Sequence, residues 1–167
     1  MVRKLPDDGN RYETVHGELL VTPSPRVWHQ EIVTRITEEL RVYLRRNPCG
    51  HAFQSPADIS WSPDTLVQPD VFVAELEQAR TLQWNSMQNL LLVVEVLSPR
   101  TAKRDRFAKR RLYQEVCVPL YWIVDLDQKA VEVWTPEAQF PSIEHEHIVW
   151  NPLNAGDKFV LELQGLF

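Results

Sequence analysis

At 167 residues, 44% hydrophobic and 25% charged, the chain suits one compact domain over residues 1–167 with its own core and is too short for two full domains. A net charge of −5 speaks against an indiscriminate nucleic-acid binder, and no stretch has the make-up of a membrane span or a signal peptide. Cys49 and Cys117 stand far apart and form neither a ligand motif nor a bridge framework, which suits a reducing cytoplasm.

Taken in chain order, "YETVHGELLVTPSP" reads as a strand or hairpin bending at Gly17 and closing in a proline-rich turn. From His29 to about Arg46, Ile32, Val33, Ile36, Leu40, Val42 and Leu44 recur near helical spacing, and "NPCG" stops the helix. "HAFQSPADISW" reads as an interrupted strand and "VQPDVFVAE" as a second short strand with Pro69 near its beginning. "LEQARTLQWNSMQN" has the composition of a loop or short helix. "LLLVVEVLSP", Leu90 to Pro99, is an apolar run covered on both faces as a buried strand would be. A helix from about Thr101 to Val116 follows, with Ser98 or Thr101 as cap, and leads into the β-forming "PLYWIVDLD", the hairpin partner "KAVEVWTP" and further strands from Ile143 through "KFVLEL". The strand, helix, strand unit over 90 to 125 favours a parallel crossover. A central mixed α/β sheet flanked by helices, with additional N- and C-terminal strands, is the expected architecture.

Glu95 is the anomaly in the Leu90 run, because an ionised carboxylate inside a buried strand costs several kcal/mol unless a cation or donors meet it. By strand alternation Val93, Glu95 and Leu97 share one face, and Val94 and Val96 the other. Asp70, just before "VFV", puts a second carboxylate at the head of another apolar segment. If adjacent strands bring the two within about 5 Å, their repulsion at an effective dielectric near 20 is roughly 3 kcal/mol, which a divalent cation reverses. Magnesium suits such a pair, since it takes one or two carboxylates, keeps water and accepts phosphate oxygen.

The helix offers a partner. At about 100° per residue, Ala108, Leu112, Tyr113 and Val116 fill an arc of roughly 140° that also holds Asp105 and Lys109. Lys103, Arg104, Arg106, Arg110 and Arg111 fall outside it, and Phe107 is an apolar exception. Lys109 is thus expected to reach Glu95, and Asp105, four residues earlier, to hold Lys109. The basic face of Arg100, Lys103, Arg104, Arg106 and Arg110 is the candidate for anchoring nucleic-acid phosphates; a solvated helix surface is the plainer alternative. Likewise Asp70 after Pro69 suits a turn, and Glu95 suits a structural ion pair with an arginine.

"QPDVFV", "LVVEVLSP", "RDRFAKRRLYQEVCVPLYWIVD" and "GELLVTPSPRVWHQEIVTRI" together resemble the bacterial Uma-two family, a branch of the PD-(D/E)XK restriction-endonuclease-like superfamily, over nearly the whole chain. The resemblance implies a restriction-endonuclease-like fold and metal-dependent endonuclease activity, with Asp70 and Glu95 as metal-binding acids. The superfamily's usual lysine position, two residues after the second acid, holds Leu97. Related branches carry that lysine on the following helix, which makes Lys109 the catalytic candidate alongside Asp70 and Glu95. Glu18 and His29 match family positions as supporting groups, as do Asp105 and Tyr113 on the helix. The implied cofactor is Mg2+, with Mn2+ able to substitute, and the implied partner is nucleic acid, DNA first; the make-up of the chain suggests a cytoplasmic location, and cutting both strands of a duplex needs two sites, so a homodimer is expected. The alternative is a non-catalytic nucleic-acid-binding or assembly module that keeps the fold.

Overall fold

The computed structural model describes residues 8–167. Its centre is a six-stranded mixed sheet in the order β10-β9-β8-β7-β6-β3, built from β3 (Gly50–Gln54), β6 (Val71–Glu75), β7 (Leu90–Val96), β8 (Tyr121–Asp125), β9 (Ala130–Trp134) and β10 (Ser142–Glu144). Only β7 and β8 run parallel; the other neighbours are antiparallel. The segment joining β7 to β8 is helical, as a parallel crossover requires.

Glu95 interrupts a strand whose two faces are both buried. Leu92, Val94 and Val96 point into one core with Ile32, Ile36 and Leu40 of helix α1 (Val27–Arg46), while Val93 and Leu97 point into a second core with Leu112, Tyr113 and Ile123. Alternation along the strand therefore sends Glu95 to the second side, as the sequence predicts. The first core is closed by the two-stranded sheet of β11 (His147–Trp150) and β12 (Phe159–Glu162) and by a terminal turn, α5 (Leu163–Leu166). The second core is closed by a four-stranded sheet in the order β2-β1-β5-β4, formed by β1 (Arg11–Val15), β2 (Glu18–Thr22), β4 (Ile59–Ser62) and β5 (Thr65–Val67).

Helix α1 starts at Val27, after Pro25 and an extended Arg26, two residues earlier than the apolar spacing predicts, and ends where Asn47 precedes Pro48, a position that disfavours helical backbone. Asn47 Oδ1 then accepts the amides of Gly156 and Asp157 at 3.0 and 3.1 Å, tying the helix end to the β11–β12 connection. The β1–β2 hairpin turns at His16 and Gly17, both with positive φ (49° and 79°), the backbone that a two-residue hairpin turn demands.

Two segments depart from the expected elements. "VQPDVFVAE" is not one strand: Pro69 cannot donate to a ladder, and the chain leaves β5 in the small sheet to enter β6 in the large one across Gln68, Pro69 and Asp70. "HAFQSPADISW" is divided the same way, with β3 and β4 in different sheets. "LEQARTLQWNSMQN" holds a short helix, α2 (Leu76–Ala79), and a 3-10 turn at Trp84–Ser86. The helix after β7 is continuous from α3 (Ala102–Arg104) to α4 (Arg110–Glu115), but Asp105–Lys109 between them form a turn of π-helix. The wider turn changes which residues line up. Thr101, Asp105 and Lys109 are buried while Lys103, Phe107 and Arg111 are exposed, a spacing of four. Phe107 stops being an exception to a helical stripe, because it stands 61% exposed on the outer side.

Candidate active site

Asp70 and Glu95 are brought together by strand register. Val71 pairs with Val94 across β6 and β7, so Asp70 and Glu95 occupy the next opposed positions, where side chains on neighbouring strands lie about 5 Å apart at Cβ. Both are buried, at 4% and 2% exposure, and both line one cavity of about 490 Å3.

Asp70 is held at each oxygen. Arg11 Nη1 donates to Oδ1 at 2.9 Å, and the amide of Val96 donates to Oδ2 at 2.9 Å. His29 Nε2 lies 3.1 Å from Oδ2 and 2.9 Å from the carbonyl oxygen of Val96. A carbonyl only accepts, so Nε2 carries a proton and shares it between the two oxygens. Burial alone would push the Asp70 carboxyl up, but the His29 hydrogen bond and the Arg11 charge outweigh it and hold the group well below the usual carboxylate range.

Glu95 finds its partner in Lys109. Lys109 Nζ lies 2.8 Å from Glu95 Oε1, and Tyr113 Oη donates to the same oxygen at 3.2 Å. Burial raises the Glu95 carboxyl to about 8 despite the lysine, with Asp70, Asp105 and Glu13 adding repulsion. Lys109 is fully enclosed, at 0% exposure; desolvation works against its charge, yet Glu13, Glu95 and Asp105 more than offset that and keep it an ammonium. Burial also raises Asp105 and, together with the Glu95 charge, Tyr113.

The lysine does not face the cavity. The ammonium expected to approach a reacting water stands behind Glu95 instead, and among the described residues the cavity wall carries arginines, Arg11, Arg100, Arg104 and Arg106 among them, but no lysine. Asp105, expected to hold Lys109, is 3.9 Å from Nζ. The close contact comes from Glu13 Oε1 at 2.8 Å. Glu18, expected as a supporting acid, is exposed beside the β1–β2 turn and does not line the cavity.

Three of the five expected phosphate anchors are engaged within the chain. Arg104 lies 3.5 Å from Asp105 and 3.9 Å from Glu13; Arg106 spans Asp125 and Glu132 at 2.7 and 2.5 Å. Arg110 donates to Gln114 and lies over the Trp134 ring, 4.8 Å from its centroid. Lys103 and Arg100 are exposed and make no ion pair among the described residues, and Arg100 lies at the cavity.

Two residues at the site, Arg11 and Glu13, escaped sequence reading. The available signal was the alternation in "RYETV", which puts Arg11, Glu13 and Val15 on one face, with Val15 directed into the second core.

The donor chemistry fits a hard divalent ion. Among the described residues no group of three or more His, Cys, Asp and Glu side chains is arranged to cage a metal. An opposed carboxylate pair on a cavity wall is the set magnesium uses, with water and substrate completing its shell. Among the described residues Glu95 Oε2 takes no hydrogen bond, and the buried acids Glu13, Asp70, Glu95 and Asp105 lie beside Arg11, Arg104 and Lys109. Of the six buried side-chain polar atoms without a hydrogen-bond partner among the described residues, five belong to this wall or to the cluster behind it: Glu13 Oε2, Thr22 Oγ1, His29 Nδ1, and Arg104 Nε and Asp105 Oδ1, which face each other at 3.5 Å as an ion pair.

The chain is similar to a solved structure described as a "putative nuclease belonging to DUF820" from Anabaena variabilis ATCC 29413, with a TM-score of 0.80 and 20% identity over 99% of this chain and 94% of that one. The mixed α/β fold is shared with that structure and is consistent with the restriction-endonuclease-like fold expected. No curated protein matches. Residues 2–163 match the model of the Uma2 family, described as "Putative restriction endonuclease", and the chain belongs to that family.

Proposed function

We propose that the chain is a magnesium-dependent endonuclease that hydrolyses phosphodiester bonds, with DNA as the substrate. The observation that carries this reading is the convergence of Asp70 and Glu95 on one cavity wall. Asp70 and Glu95 would hold the ion. When bound, magnesium supplies positive charge against the anionic phosphate and the acidity that activates water. The chain's own groups fix the two acids: Arg11, His29 and the Val96 amide orient Asp70, and Lys109 and Tyr113 orient Glu95. Because Lys109 lies behind Glu95, its part is to set the position and charge of that carboxylate, and Arg26 and Arg100, exposed at the cavity and without an ion pair among the described residues, are placed to meet a phosphate.

The test is plasmid cleavage in magnesium by the wild-type protein and by Glu95→Ala, purified identically. Cleavage by the first and not the second is expected; equal cleavage by both assigns it to a contaminant or another site. Calorimetric titration with magnesium, its binding lost in Asp70→Asn, locates the ion independently of turnover.

One observation favours a second reading, a nucleic-acid-binding module without turnover: among the described residues the cavity wall carries no ammonium to assist the attacking water. Salt-sensitive DNA binding that is unchanged by magnesium, with no cleavage, would select it.

A further inference from the structure

The metal-site acids do not account for Glu13. Its side chain has 0% exposure, its Oε1 lies 2.8 Å from Lys109 Nζ, and the same oxygen accepts the backbone amide of Gln68 at 2.7 Å. A carboxylate this deep costs several kcal/mol to desolvate and is strongly destabilising unless its partners are well placed. The partners here are the lysine that holds Glu95 and the peptide two residues before Asp70.

Strand β1 sits in the small sheet, beside β5 through the Thr14–Leu66 pair, and reaches across to the segment that leaves β5 for β6. Arg11 and Glu13, two residues apart and so on one face of β1, grip both polar groups of Gln68: Arg11 Nη1 donates to its carbonyl at 3.0 Å, and Glu13 accepts from its amide. Arg11 also holds Asp70 itself. A lysine side chain has four rotatable carbons and swings freely unless fixed. Lys109 is fixed from two sides, by Glu95 on the large sheet and Glu13 on the small one, at equal distances of 2.8 Å.

We infer that Glu13 is a positioning residue that locks the Lys109 ammonium against Glu95 and couples it to the Gln68–Asp70 segment, so that both metal-site acids are set by one strand. This inference rests on the nuclease reading for its consequence in turnover, and on the contacts alone for its geometry.

A double-mutant cycle over Glu13→Gln and Lys109→Met tests it, both replacements preserving side-chain volume so that the fold, checked by circular dichroism, is kept. Single-turnover cleavage is measured at saturating magnesium and DNA, with DNA affinity measured separately in calcium. Glu13→Gln is expected to lower the cleavage rate about 10- to 100-fold, as for groups that orient metal ligands, with DNA affinity in calcium within about threefold. In the Lys109→Met background the same change is expected to have almost no further effect. Equal rate losses in both backgrounds overturn the inference, as does a Glu13→Gln rate equal to wild type. If the wild-type protein does not cleave, the nuclease reading falls and the same cycle in urea unfolding decides the geometry. There, a coupling of about tenfold or more in the unfolding constant keeps Glu13 as the group fixing Lys109, and additivity removes it.

Discussion

Arg11 Nη1 donates to Asp70 Oδ1 at 2.9 Å, and this contact carries a cation from the small sheet to the head of a strand in the large one. The Arg11 side chain is 15% exposed and that of Asp70 5%, so the pair is largely shielded from water. Asp70 is depressed because the His29 hydrogen bond and then the Arg11 charge outweigh its burial. A depressed carboxyl contributes stability that is present above its unfolded value near 4 and is lost as pH falls through the folded value. Arg11→Met removes one of the compensating charges and raises the folded value. Acid unfolding should therefore begin at higher pH, and stability at pH 7 should drop by about 3 kcal/mol, the low end for breaking a buried pair, because His29 and the Val96 amide remain. Acid titration followed by circular dichroism checks this, and superimposable wild-type and variant profiles would refute it.

Glu95 has the opposite sign. Its folded value, raised to about 8, lies above the ordinary value of 4.5, so the folded protein binds the extra proton between those limits. The stabilisation from Glu95 is fully present below about pH 4.5 and is lost as pH rises through 8. Without divalent ions, the urea midpoint should fall between pH 5 and pH 8.5. Glu95→Gln keeps an acceptor for Lys109 and Tyr113 but removes the ionisation, so its midpoint should be nearly flat over that window and above wild type at pH 8.5. A wild-type midpoint that is flat or rises would count against the buried, proton-holding Glu95. Magnesium should reverse the wild-type trend, since ligation favours the ionised form.

Much of this arrangement was legible from residue order because it depends on alternation and spacing. The placement of Glu95 against the second core follows from the period of two along the strand, and its meeting with Asp70 needs only that the two apolar segments be adjacent. Lys109 reaches Glu95 on helical spacing, although the helix widens into a π turn that a fixed 100° per residue does not contain. What residue order concealed is non-local. Glu13 is 96 positions from Lys109 and lies in a different sheet, and its local neighbourhood, "RYETV", looks like any half-buried strand. The division of "VQPDVFVAE" had a local sign in Pro69, but which sheet each half joins is decided by pairing with β1 and β7. Similarly, a run of arginines looks free until Asp125 and Glu132, from the following hairpin, fold back on Arg106.

Arg106 and Arg100 make the last of these distinctions measurable. Both lie at the cavity, but Arg106 spends its guanidinium on Asp125 and Glu132 whereas Arg100 is exposed and makes no ion pair among the described residues. An arginine that neutralises a phosphate releases counterions, and each such contact adds about 0.9 to the slope of log affinity against log salt. Arg100→Ala should lower that slope by about 0.9 and leave urea stability within about 0.5 kcal/mol of wild type. Arg106→Ala should leave the slope unchanged. Its cost falls on stability, about 1 kcal/mol, because the side chain is 35% exposed and water screens part of each pair. Fluorescence anisotropy with a labelled duplex at several salt concentrations gives the slopes, and urea melts give the stabilities. A slope loss in Arg106→Ala equal to that in Arg100→Ala would mean that Arg106 leaves its carboxylates to meet the nucleic acid, and the division between inward-bound and phosphate-facing arginines would fail.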